Sequence, residues 1–310
     1  MRVNHLIAFL ALCLLGLPLA GHSSPSRPKI KGLAFVRLRV SDIGRSREFY
    51  EQTFQLGNHF NHCAGANSVC FRLSSSQAVE LVQAEAPLDG SLVEQLGFWT
   101  EDLDGMRRYL TAAGIEVGKA FTDYDGRKRF ELRDPEGHGI AFVSPPLPSA
   151  LVFWPDQVSK QMLHAGFVVK DMSAENHFYR DLLGFRLYWS GGFKDVDRSA
   201  VASEKDIDWY EIQVPDGDNW IEYMLNIPAN ADRKELGVQN HFSLGVINAQ
   251  VAAGQLRKNG LQSFDGPEVG RDGKNSLDAY DPDGTRIEVM EFVPTQKPCC
   301  HPYTAAHPKP

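Results

Sequence analysis

VRLRVSDIGRSREFYEQTF, residues 36–54, returns later in the chain as GFVVKDMSAENHFYRDLLGF, residues 166–185. The match sets Asp42 opposite Asp171. In both copies an apolar run of strand character leads into a segment with helical spacing. In the later copy Ser173 is the predicted N-cap and Gly184 the predicted stop of this helix.

Three more pairs of segments repeat in the same order along the chain. They are AVELVQ (78–83) with WIEYML (220–225), QLGFWTEDLDGMRRYLTAAG (95–114) with HFSLGVINAQVAAGQLRKNG (241–260), and DPEGHGIAFV (134–143) with DPDGTRIEVM (281–290). The chain therefore holds two copies of one domain, at about residues 30–147 and 160–294. The Pro-rich segment SPPLPSALVFWPDQ links them.

Each copy is itself double. In the later one, a second apolar strand at 241–246 is followed by a helix at 248–259 and strands near 275–280 and 286–292. The predicted unit is strand–helix–strand–strand–strand, used four times. This pattern predicts an α+β fold whose sheets are mostly antiparallel, with helices on one face.

Composition excludes some partners and suggests a location. The 310 residues carry a net charge of −7 without a basic stripe, so nucleic acid is not an expected partner. Residues 1–24 have the charged start, apolar run and small polar end of a signal peptide, which predicts a secreted or periplasmic protein. An uncleaved N-terminal anchor is the alternative, but no second apolar run predicts stable membrane insertion after signal removal.

Export makes disulfides plausible. Cys63 and Cys70 flank AGANSV, which resembles a hairpin tip, so a bridge between them is plausible, although the sequence does not decide whether it forms. Cys299 and Cys300 lie in the Pro-rich tail, residues 295–310, which we expect to be a disordered end.

The candidate metal ligands lie in the later copy. Four strand-like segments, HAGFVV, WIEYML, NHFSLGV and DPDGTRIEVM, each hold one metal-capable side chain: His164, Glu222, His241 and Glu288. Burying a carboxylate among apolar neighbours is expensive unless it is compensated. One divalent ion (Ni, Zn, Fe, Mn or Co) would compensate both carboxylates.

The earlier copy is an internal control for this metal prediction. Its matching positions are Phe35, Glu80, Gln95 and Ala141. Phe and Ala cannot bind a metal, and Gln is at best a weak ligand. The sequence therefore predicts one metal site, in the second domain. The corresponding site in the first domain is predicted to be degenerate.

On these motifs and their order the chain resembles the vicinal oxygen chelate superfamily, also called the glyoxalase/bleomycin resistance/dioxygenase fold. The resemblance implies tandem domains of paired βαβββ units that curl around a cleft. The second domain is most similar to glyoxalase I, a lyase that removes a proton next to a metal-bound carbonyl. The resemblance to glyoxalase I implies that Glu288 is the base, that Glu222 is its partner and that Asn226 contacts the substrate. At Val168 the chain departs from the family's glutathione-binding Arg.

Two other activities fit the superfamily. A ring-cleaving dioxygenase would use His164, His241 and Glu288 on Fe(II), which leaves Glu222 surplus. Such enzymes place a Tyr where this chain has Asp278, with Tyr280 two positions away. A third interpretation is that the protein binds a small molecule without catalysis.

The Gly-rich segment GRDGKNS contributes Arg271 and Lys274, which could clamp an anionic substrate or be solvated. A homodimer is compatible with the tandem architecture.

Overall fold

The computed structural model describes residues 25–85, 87–148, 153–194 and 206–310. The predicted signal peptide, residues 1–24, lies outside this part of the chain. Among the described residues, no helix is long and apolar enough to cross a membrane.

The first domain is an eight-stranded sheet with two helices. Its strand order is β2-β3-β4-β1-β5-β8-β7-β6. The elements are β1 (Ile30–Val40), α1 (Ile43–Gln52), β2 (His59–Asn61), β3 (Ser68–Arg72), β4 (Ala78–Gln83), β5 (Val93–Thr100), α2 (Leu103–Ala112), β6 (Phe121–Thr122), β7 (Lys128–Arg133) and β8 (Gly139–Val143).

The second domain repeats this order as β10-β11-β12-β9-β13-β16-β15-β14. Its helix α3 continues into a π-helical turn, and α4 is an insertion between the two βαβββ units. The elements are β9 (Met162–Val168), α3 (Met172–Asn176), the π turn (His177–Leu182), β10 (Arg186–Gly191), β11 (Trp209–Gln213), β12 (Trp220–Met224), α4 (Arg233–Gln239), β13 (His241–Val246), α5 (Ala249–Lys258), β14 (Asp265–Val269), β15 (Asn275–Tyr280) and β16 (Arg286–Glu291).

The α+β prediction and the fourfold unit are confirmed. Within each sheet only β1–β4, β5–β8, β9–β12 and β13–β16 pair in parallel. The helix start was predicted wrongly: Asp171, not Ser173, caps α3, because its carboxylate accepts the Ala174 N–H. Asp42 caps α1 in the same way, so the repeated Asp marks where both helices begin.

The two domains share one hydrophobic core and exchange polar contacts between sheets. The Asn219 side chain accepts the Leu33 N–H at 3.0 Å, and the Gln77 side chain accepts the Met162 N–H at 2.9 Å. Cys63 and Cys70 form a disulfide at the hairpin between β2 and β3.

Candidate metal centre

Four neighbouring strands, β12, β9, β13 and β16, each place one of the predicted ligands on the same face of the second sheet. The Nε2 atoms of His164 and His241 lie 3.1 Å apart. Glu222 Oε2 is 3.2 Å from His241 Nε2, and Glu288 Oε2 is 3.3 Å from His164 Nε2. All four side chains are buried. The structure thus brings together the residues that the sequence singled out.

Local structure orients both imidazoles. His241 lies over Gly166, where a Cβ atom would come within 2.1 Å of the ring, so only glycine leaves room for it. The His241 Nδ1–H donates to the Gln239 carbonyl at 3.0 Å, which leaves Nε2 as the atom that faces the cluster. The His164 ring stacks on Trp220, with centroids 4.8 Å apart.

The electrostatics favour neutral imidazoles among excess carboxylates. Burial, and then the neighbouring cations, lower the pKa of His164 well below its usual value, and burial and Arg286 lower that of His241. Burial raises the pKa of the Glu288 carboxyl to about 8, and nearby carboxylates add to this effect. Without a cation, it is therefore unfavourable for the buried carboxyl groups of the cluster to be ionised together.

The donor set fits a divalent ion. The His241 Nε2 lone pair faces His164, whose buried Nδ1 has no hydrogen-bond partner among the described residues. Ligands at right angles about 2.1 Å from one ion would lie roughly 3.0 Å apart. Three observed distances, 3.1, 3.2 and 3.3 Å, are close to this value, and the distance from His164 Nε2 to Glu222 Oε2 is longer, at 3.7 Å. Ligand atoms of His164, Glu222 and His241 all lie within 4.8 Å of one another, and Glu288 adjoins this group through its 3.3 Å contact with His164. This buried group could hold one divalent ion.

A cavity of about 250 Å³ opens onto the cluster and is strongly charged. Arg271 and Arg286 supply positive charge to its wall, while Glu211 adds a buried carboxylate beside Glu222. Burial raises the pKa of Glu211 well above its usual value.

The three predicted substrate residues lie in three different environments. Arg271 lines the cavity. Lys274 is fully buried, with Nζ 4.1 Å from the Trp220 ring centroid and 3.8 Å from an Asp272 oxygen, so it is not solvated. Asn226 is exposed, and its amide donates to the Ile207 carbonyl at 2.9 Å, at the end of β12.

The expectation of a disordered C-terminal tail was wrong. The Tyr303 hydroxyl donates to Asp272 at 2.9 Å, and the Tyr188 hydroxyl bonds to His307 at 2.6 Å. The tail packs over the aromatic cluster of the second sheet because Tyr303 covers Tyr188 and the Lys274 ammonium. Cys299 and Cys300 are joined to each other within this tail.

In the first domain arginines neutralise the one carboxylate at a ligand position. Arg37 donates to Glu80 at 2.6 and 2.9 Å, and Arg129 donates to it at 3.3 Å. Both guanidinium groups lie over the Phe35 ring. Glu80 is thus compensated by fixed cations instead of an ion.

Sequence reasoning missed Glu211, Arg286 and Trp220 as parts of the site. Glu211 lies between Tyr210 and Ile212 in a buried strand, the same signal that singled out Glu222. Arg286 lies two residues before Glu288 and so shares its face. Trp220 had no signal of its own, because its stacking depends on the pairing of β12 with β9.

Comparison of the chain with models of protein families identifies its superfamily. The model of the Glyoxalase/Bleomycin resistance protein/Dioxygenase superfamily matches residues 32–142 and 161–289. The chain belongs to this superfamily. A search of curated proteins by sequence gave no match.

Solved structures with a similar fold include two 2,3-dioxygenases. The 2,3-dioxygenase LapB from Pseudomonas sp. KL28 is 17% identical, with a TM-score of 0.65 over 92% of this chain and 96% of that one. Homoprotocatechuate 2,3-dioxygenase from Brevibacterium fuscum, in complex with 3,4-dihydroxyphenylacetate, is 18% identical, with a TM-score of 0.61 over 92% of this chain and 85% of that one. At this identity the likeness describes the fold.

Proposed function

We propose that the second domain is a divalent-metal-dependent lyase or isomerase of glyoxalase type. It would abstract a proton next to a substrate carbonyl. The observation that carries this proposal is the second carboxylate: Glu222 lies as close to His241 as Glu288 does to His164, at 3.2 and 3.3 Å. A two-His, one-carboxylate iron site has no place for it.

Each residue has a proposed role. His164, His241, Glu222 and Glu288 hold one ion (Ni, Zn, Fe, Mn or Co), which supplies Lewis-acid polarisation of the substrate carbonyl. Glu288 takes the proton from the adjacent carbon and returns it elsewhere on the substrate, with Glu222 as its partner. Both carboxylates line the cavity, where their side chains are 10% and 12% exposed and a substrate can reach them.

The cavity favours a small substrate. About 250 Å³ is below the range of roughly 300–1,000 Å³ for pockets that enclose a drug-sized ligand. Arg286 is paired with Asp278 at 3.4 Å, so Arg271 is the proposed contact for a carboxylate or phosphate on the substrate. Val168 in place of the family's Arg argues against a glutathione adduct. We also propose that residues 1–24 direct export of the protein.

The alternative is an Fe(II)-dependent extradiol-type dioxygenase, which the likeness to the two ring-cleaving enzymes favours. Asp278 lies opposite Glu288 between β15 and β16, where a Tyr would be expected. The nearby Tyr280 hydroxyl instead donates to Asp265 at 3.2 Å. These contacts make the dioxygenase the weaker candidate.

The test compares the two reactions on one set of variants. Metal is first measured in protein purified without added metal, in wild type and His241→Ala, where we expect about one equivalent to be lost. The wild type is then given small 2-hydroxy carbonyl compounds in D₂O without oxygen. We expect deuterium incorporation that Glu288→Gln abolishes, Glu222→Gln strongly reduces, and Glu268→Gln, an exposed carboxylate at the cavity rim, leaves unchanged.

Three outcomes would contradict the proposal. Oxygen uptake by the iron-loaded chain with a catechol, retained in Glu222→Gln, would identify a dioxygenase. Small-molecule binding with no retained metal would identify a binder. Deuterium exchange that Glu288→Gln leaves intact would remove the proposed base.

A further inference from the structure

A second group of metal-capable side chains, which shares no residue with the first, lies where the two domains meet. Asp134 and His138 come from the turn between β7 and β8 in the first domain. Glu175 comes from α3 in the second domain. One ligand atom from each residue lies within 4.8 Å of the others. We call this group the junction cluster (Asp134, His138 and Glu175).

The carboxylates of the junction cluster are held in place by their neighbours. The Tyr179 hydroxyl donates to Asp134 Oδ2 at 3.1 Å, and the Glu136 N–H donates to Glu175 Oε1 at 3.0 Å. His138 Nδ1 is 2.8 Å from Asp134 Oδ2. Outer contacts of this kind orient ligands around metal ions.

One oxygen of the cluster lacks a partner. Glu175 is fully buried, and its Oε2 atom has no hydrogen-bond partner among the described residues. A buried carboxylate oxygen left in this way is costly. The His138 side chain, in contrast, is 26% exposed, which gives an ion a route from solvent to the cluster.

The internal repeat provides a control junction on the other side of the molecule. There the turn at Asp281 meets α1, and the Tyr50 hydroxyl donates to Asp281 at 3.4 Å, as Tyr179 does to Asp134. The positions of Glu175 and His138 are occupied by Ser46 and Thr285. The backbone turns are alike, since His138 N–H and Thr285 N–H donate to their Asp at 2.8 and 2.9 Å. Docking of the domains therefore requires neither a Glu nor a His.

From this we infer that the junction cluster binds one first-row divalent cation, of the zinc class, through Asp134, His138 and Glu175. Two carboxylates and an imidazole suit such an ion. The ion would compensate two carboxylates, of which that of Glu175 is fully buried. Because its ligands come from both domains, it would act as a structural staple across the junction. This inference does not depend on the proposed catalytic reaction.

The experiment uses the full chain with the first site removed by His164→Ala and His241→Ala together. Zinc bound after equilibrium dialysis is measured, together with the melting midpoint with and without zinc. In this background we expect about one equivalent of zinc and a zinc-dependent rise of the midpoint. Adding Glu175→Gln should abolish both, whereas adding Ser46→Ala, the matched change at the control junction, should alter neither.

A second variant keeps the test decisive. If the chain with Glu175→Gln does not fold, His138→Gln replaces it, because that side chain is at the edge of the cluster and is less needed for packing. The inference is overturned if the background chain binds no zinc. It is also overturned if the bound equivalent persists in a folded Glu175→Gln or His138→Gln chain, or if Glu175→Gln changes only the pH dependence of unfolding.

Discussion

The buried charges around Glu80 allow a sharp prediction about stability. Glu80 is 1% exposed and accepts three hydrogen bonds from Arg37 and Arg129, at 2.6, 2.9 and 3.3 Å. In Glu80→Gln, an amide NH₂ would replace one carboxylate oxygen and face a guanidinium group. Removing one partner of a buried ion pair costs about 3–5 kcal/mol, because the remaining charges are left uncompensated.

Glu131 is the matched control. It faces the same two arginines, at 3.7 and 3.8 Å, but its side chain is 40% exposed. Solvent screens such pairs, so Glu131→Gln should lower the free energy of unfolding by less than about 1 kcal/mol. Urea unfolding followed by circular dichroism at neutral pH measures both changes.

The changes in the free energy of unfolding caused by substitutions around Glu80 should be non-additive. Replacing the closest pair by Arg37→Met and Glu80→Leu should cost less than Glu80→Gln alone, since Arg129 keeps its buried partner Asp123 at 2.7 Å and Arg37 no longer carries a charge. Equal destabilisation by Glu80→Gln and Glu131→Gln would refute the argument, as would a double variant less stable than Glu80→Gln.

Three further predictions concern other parts of the molecule. In metal-free protein burial raises the pKa of Glu288 from 4.5 to about 8, so protonation of Glu288 favours the folded state. This contribution is fully present below the unfolded pKa and is lost as pH rises through the folded pKa, so melting midpoints in chelator should fall between about pH 5 and 8. Glu288→Gln should flatten this slope. Deleting residues 297–310 should expose Lys274, which Tyr303 now covers, to amine-reactive labelling detected by mass spectrometry, whereas intact protein stays unlabelled there. Breaking the Cys63–Cys70 loop by Cys63→Ser with Cys70→Ser should cost about 2–3 kcal/mol in urea unfolding, from the entropy of its short loop; no change in midpoint would mean that the bridge is not formed.

The sequence was a good guide wherever a local pattern repeats. The unit from β9 to β12 could be predicted because apolar alternation and a helical face recur in each copy. The capping error at Ser173 shows the limit of this approach. Asp171 and Ser173 are both suitable caps, and only the observed backbone decides which side chain reaches the free N–H groups.

The tail was predicted wrongly for a physical reason. Pro-rich composition disfavours regular structure, but it does not prevent a chain from packing. Tyr303 is ordered because Tyr188 and Asp272 form a complementary surface, and these residues are distant in sequence. Contacts of this kind leave no periodic signal in the tail itself.

By itself the sequence determined the duplication, the α+β class and the four metal-capable positions, because strand alternation and matched repeats are local properties of the chain. Only the tertiary structure decided that β12, β9, β13 and β16 lie side by side and so bring His164 within 3.1 Å of His241. It also decided that Glu175 meets Asp134 across the domain junction. Strand order and domain docking are set by burial of the shared core, and no short segment records which distant surface it will cover.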